Sequence, residues 1–154
     1  MRQSDFLMAF AFKAQAPYAI AMSRLSNRSR VSPNKESFHD LMEHWPASWA
    51  GVAADIPVGQ QLVEALRPFI LHLQKQNLSP KTVRHHLDNL WAIGGEIMRQ
   101  VNNDPSLRKT CPHTLLLKAV ECGEAPLVRD ASEEQQESCD ATARRLLRFL
   151  SIPK

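Results

Sequence analysis

Apolar positions along this chain recur at three- and four-residue intervals and show no strand-like alternation, the mark of amphipathic helices. The longest stripe lies in residues 77–101. There Val83, Leu87, Leu90, Gly94, Ile97 and Val101 follow at spacings of 4, 3, 4, 3 and 4, with Trp91 and Met98 widening the face. Ser79 suits the N-cap of this helix and Pro80 its first position, where a missing N–H costs nothing. Upstream, Leu62, Val63, Leu66, Phe69, Ile70 and Leu73 share one face of a helix over residues 59–76, and Pro68 predicts a kink or a fresh turn inside it. Asn77-Leu78 is then a tight corner, so the two helices pack as neighbours, antiparallel or crossed.

Shorter elements flank this pair. Ser32-Pro33 repeats the cap-plus-proline signal, and Phe38, Leu41, Met42 and Trp45 follow at helical spacing. Pro46 should end that helix by Trp45, since the residue before a proline avoids the helical region. Residues 46–58, with Pro46, Gly51 and Pro57, read as a connector pinned to the core by Trp49 and Val52. After the central helix, Asp104-Pro105 offers a further cap and first position for a short turn through Lys109. Residues 112–122 form a helix carrying Leu115, Leu116, Ala119 and Val120, with Gly123 as its stop. Ser132 and Gln135 stand at capping-box spacing and open a last helix to about Ser151, with Cys139, Ala143, Leu146, Leu147 and Leu150 inward. Its acids come first (Glu133, Glu134, Glu137) and its bases last (Arg144, Arg145, Arg148), an order that complements the helix dipole and needs no ligand. The expected class is all-α, a compact bundle of about five helices.

Composition narrows the class without naming a task. The 154 residues suffice for one domain with a real core, and 44% hydrophobic and 23% charged residues are ordinary for a globular chain. A net charge of +3 permits nucleic acid without demanding it. Residues 1–35 carry six Lys and Arg against Asp5 alone and lose periodicity after Phe12, so they read as a flexible basic arm ahead of a single all-α domain over 36–154. The arm is also acid-poor in the manner of a transit segment, and Phe6 to Phe12 gives only a short apolar run. No stretch reaches the roughly 20 apolar residues of a membrane helix, so no membrane partner is expected. Three cysteines in no framework spacing, Cys111, Cys122 and Cys139, point to a reducing cytoplasm.

Candidate chemistry gathers at the start of the central helix. Ser79, Lys81, Thr82, Arg84 and His85 put hydroxyls, free N–H groups and cations together, a set able to hold phosphate or simply to face water. Arg99 falls on the same polar side, and Asp88 weakens it. Gly94-Gly95 inside a helix costs roughly 1 kcal/mol per glycine relative to alanine, which a close helix approach, a helix break or a seam between chains would explain. His86 lies on the apolar arc as a core histidine, while His85 faces solvent. Cys111, His113 and Cys122, or His39 with His44, have no zinc spacing, and no metal or cofactor is expected. Neither a Gly-rich phosphate loop nor a nucleophile elbow is present.

Residues 62–101 resemble the core-binding (SAM-like) domain on the N-terminal side of tyrosine recombinases and phage integrases. The likeness rests on an amphipathic helix ending Phe69-Ile70-Leu71-His72-Leu73, a short polar corner, and Leu78-Ser79-Pro80-Lys81-Thr82-Val83 with apolar spacing on through Leu87 and Leu90. It covers about 40 of the 154 residues. It implies a recombinase-like helical pair over 59–101 in a domain that clamps double-stranded DNA. Recombinases of that family also carry a His-x-x-Arg motif and a nucleophilic tyrosine in a downstream catalytic domain. Here no His precedes an Arg by three residues, the one tyrosine is Tyr18, and 53 residues follow Val101. The expectation is therefore a non-catalytic, mobile-element-like DNA-binding module. The alternative is a helical interaction module that self-associates or docks a protein through Gly94-Gly95 or the Trp45/Trp49 region.

Overall fold

The computed structural model describes residues 35–153, and these are all helix, turn and loop with no strand among them. Helices α1 (Lys35–Glu43) and α2 (Trp45–Trp49) lead through a 3-10 turn at Ala53–Asp55 into α3 (Ile56–Lys75) and α4 (Pro80–Asn103). A second 3-10 turn at Pro105–Lys109 precedes α5 (Pro112–Val120) and α6 (Glu133–Leu150). The all-α bundle expected from the periodicity is therefore present. The arm over residues 1–34, with the Ser32-Pro33 cap and the apolar run at Phe6 to Phe12, lies outside the described residues, and Lys35 already belongs to α1. No helix among the described residues is long and apolar enough to cross a membrane.

Helix α4 is the centre, packed against α2, α3, α5 and α6. All six positions of its stripe are buried, as are all six of the α3 stripe, so each helix turns the face its spacing dictates. The corner between them depends on Asn77, whose positive φ of 46° suits a short polar side chain in the left-handed region. Ser79 then caps α4 by accepting from the Thr82 N–H at 3.1 Å. Other expected boundaries also form. Asp104 accepts from the Ser106 N–H, Gly123 ends the α5 turn at φ 74°, and Ser132 with Gln135 makes the full capping box of α6.

The connector differs from expectation. Helix α1 does end before Trp45, at Glu43, but Pro46 opens no connector; it sits in the first turn of α2. Pro57 does the same in α3, which begins at Ile56. Proline fits both places because first-turn N–H groups have no intrahelical acceptor. Trp49 is buried as expected, but Val52 is 50% exposed and pins nothing. The anchor is Asp55 instead. Fully buried, it accepts the Gly51 and Val52 N–H groups, Asn102 Nδ2 at 3.0 Å, and Arg108 Nη2 at 2.9 Å. Pro68 lies within an unbroken α3 on its exposed side, where the ring faces away from the core.

Candidate phosphate-contacting corner

A second polar seam fixes how α6 lies on α4. His86 Nδ1 pairs with Thr142 Oγ1 at 2.8 Å, and Asn89 Nδ2 donates to Ser138 O, Ser138 Oγ and Thr142 Oγ1 at 2.9–3.0 Å. As α4 advances from 86 to 89, its partners on α6 recede from 142 to 138, so the helices run in opposite senses. The basic end of α6 is thereby laid beside the start of α4. Phe149 confirms the register, stacking 5.5 Å from Phe69 and 5.1 Å from His72 at the end of α3. Cys139, on the same seam, is buried beside Asn89, and burial with Asp140 nearby pushes its thiol up to about 11.

The five residues expected to meet phosphate are all at this corner. Ser79, Lys81 and His85 are exposed; Thr82 and Arg84 are half-buried. Their roles divide. Ser79 Oγ receives the Thr82 N–H and lies 2.8 Å from Thr82 Oγ1, so both hydroxyls are engaged in the cap. Lys81 and His85 face solvent, and Arg84 is partly covered. The helix start is thus not smothered by the rest of the chain, and 83–101 is helical throughout.

Arg145 on α6 joins them, a residue sequence reasoning assigned to the helix dipole alone. Its Nη1 donates to Gln76 Oε1 at 3.2 Å across 69 residues of chain, while Gln76 Nε2 meets His72 Nε2 at 2.8 Å. Arg145 and His85 also act on His86. Burial first, then these two neighbours, hold the His86 imidazole below its ordinary value, so it is predominantly neutral at pH 7. One signal could have found the site: residues 72–87 and 141–151 together carry six Lys and Arg and no Asp or Glu.

Three arginines elsewhere are neutralised, whereas Lys109, Lys118 and Arg129 form no ion pair among the described residues. Arg67 pairs with Glu64, Arg108 with Asp55, and Arg99 with the largely buried Glu96 at 2.7 Å. Arg99 therefore does not belong to the free basic face on which the sequence placed it. No carboxylate of the described residues lies within ion-pair distance of Lys81, Arg84 or Arg145.

Two other candidates resolve differently. The Gly94-Gly95 face and the Trp45/Trp49 region cover each other within the chain, because Trp49 lies over Gly94 and Trp45 is fully buried. Neither is the open seam the sequence allowed. For metals, where the sequence found no zinc spacing in His39 with His44, the helix brings His39, Asp40 and Glu43 together, with ligand atoms within 4.8 Å and all three exposed. His39 Nδ1 is 3.2 Å from Glu43 Oε1, an ordinary surface pair. Comparison of the chain with protein-family models, curated proteins and solved structures returns no match.

Proposed function

We propose that this protein is a non-catalytic helical module of the cytoplasm that binds double-stranded DNA by its phosphate backbone. Lys81, Arg84 and His85 make the contacts, while Ser79 and Thr82 build the turn that presents them. The supporting observation is that Lys81 and Arg84 gather at one corner with no ion pair among the described residues, unlike Arg67, Arg99 and Arg108, each tied to a carboxylate. Unpaired cations such as Lys109 and Lys118 occur elsewhere, so it is the clustering that counts. Clustered like charge repels itself and contributes nothing to a helical core, whereas a polyanion turns it into attraction by displacing counterions. The core-binding resemblance of residues 62–101 points the same way.

With a few phosphate contacts, affinity is modest and strongly salt-dependent. Fluorescence anisotropy of a labelled duplex, titrated at roughly 50 to 200 mM salt, reads this as a linear fall of log K with log salt. The double change Lys81→Ala/Arg84→Ala should weaken binding at low salt and flatten the slope by about two units. Absent or salt-insensitive binding overturns the proposal. Accompanied by a mass that grows with concentration in sedimentation, that result would identify a self-associating module instead.

A further inference from the structure

We infer that the DNA-contacting surface is two-helical, and that Arg145 of α6 takes a second backbone phosphate beside the one held by Lys81 and Arg84. The inference rests on the DNA reading above and adds an element that neither the corner motif nor the α4 stripe contains. Three observations carry it. Arg145 is half-buried and reaches across to the exposed Gln76 Oε1 at 3.2 Å, so its guanidinium is placed at the α3–α4 corner and remains open to solvent. It is close enough to the start of α4 to act electrostatically on His86 together with His85. Its partner is a neutral amide, and no carboxylate of the described residues competes for it.

A guanidinium bound to one neutral acceptor retains N–H donors and its full charge, and phosphate is a stronger partner for both than an amide oxygen. Gln76 acts as a rest for the side chain, limiting the rotamers that must be given up on binding. The buried seam of His86, Asn89 and Thr142 holds α6 at the register that brings Arg145 to this place. Phosphates lie on both sides of a groove, so cations on two helices can straddle positions that one helix start cannot reach alone.

The test compares Arg145→Gln, Arg145→Lys and the control Lys109→Gln on the same labelled duplex. Lys109 follows the far end of α4, a helix of 24 residues and therefore roughly 36 Å long. Arg145→Gln should flatten the salt slope by about one unit, so that the wild type's advantage shrinks about three- to fourfold between roughly 50 and 200 mM salt. Arg145→Lys should restore the slope, and Lys109→Gln should leave it alone. Far-ultraviolet circular dichroism checks that each variant remains helical. A slope unchanged by Arg145→Gln, while Lys81→Ala/Arg84→Ala flattens it, overturns the two-helix surface and leaves the DNA reading intact. An equal effect from Lys109→Gln reduces Arg145 to general charge and likewise overturns it. No salt-dependent binding by the wild type overturns both.

Discussion

The indole of Trp49 fills the space a side chain on Gly94 would need: a Cβ there would sit 2.6 Å from Cη2. Trp49 Nε1 meanwhile donates to the Trp91 carbonyl at 3.0 Å, which fixes the ring against the α4 backbone. Gly95, one residue on, leaves ordinary contact distances of 3.5 and 3.6 Å to the same ring. The adjacent glycines should therefore respond with opposite signs. Gly94→Ala gains helix propensity but overpacks the indole, and should destabilise by about 1–3 kcal/mol. Gly95→Ala meets no such obstacle and should stabilise by roughly 0.5–1 kcal/mol. Urea unfolding of the two variants decides this, and equal effects would mean that Trp49 does not fix the approach.

Asp55 ties the α2–α3 connector to the far end of α4. Burial raises its carboxyl, but hydrogen bonds from Arg108, the Val52 N–H, Asn102 and the Gly51 N–H outweigh that and hold it below the ordinary carboxylate value. The folded state thus binds this proton less readily than the unfolded chain. Its contribution is complete above about pH 4 and is lost as pH falls through the folded value. Asp55→Ala, which strands Arg108, Asn102 and two N–H groups, should cost about 3 kcal/mol at neutral pH and reduce the acid dependence of stability below pH 4. Denaturation at pH 7 and pH 3 measures both effects.

These two centres show which parts of the molecule were legible in sequence. The α3 and α4 stripes, the corner, and the caps at Ser79, Asp104 and Ser132 are written within a few residues of where they act, so period and capping chemistry recover them. Trp49 over Gly94 was half legible: two glycines in a helix allowed a close approach beside a helix break or a seam between chains, but nothing local named the partner. Asp55 was illegible, because its partners Asn102 and Arg108 lie 47 and 53 positions downstream. Pro46 and Pro57 misled because proline marks the first turn of a helix as readily as the end of the preceding one. In the candidate site, the α4 residues were visible through the Ser-Pro cap, whereas Arg145 required the packing of α6.

That packing should be sensitive to pH through His86. Its imidazole is held below the ordinary value, by burial first and then by Arg145 and His85. The unfolded chain therefore takes up this proton at higher pH than the folded one. Stability is complete above about pH 6.5, falls as pH drops through that range, and levels off below the folded value. His86→Asn, which offers an amide atom to Thr142 in place of Nδ1, should remove this part of the pH dependence. Arg145→Gln should raise the His86 titration midpoint, observable in the imidazole NMR signals. A midpoint unmoved by Arg145→Gln would place that guanidinium away from the seam.

Ser79 separates support from contact within the corner. Its hydroxyl receives the Thr82 N–H and lies against Thr82 Oγ1, whereas Lys81 spends no charge on the fold. Ser79→Ala should lower stability by about 1 kcal/mol through loss of the cap. Lys81→Ala, at an exposed site with no carboxylate partner among the described residues, should change stability by less than about 0.5 kcal/mol. On duplex DNA the order should reverse. Lys81→Ala should flatten the salt slope by about one unit, while Ser79→Ala leaves the slope unchanged because it removes no charge. Thermal unfolding and anisotropy on the same two proteins provide the comparison. A slope lowered by Ser79→Ala as much as by Lys81→Ala would mean that the turn itself, rather than its cations, holds the phosphate.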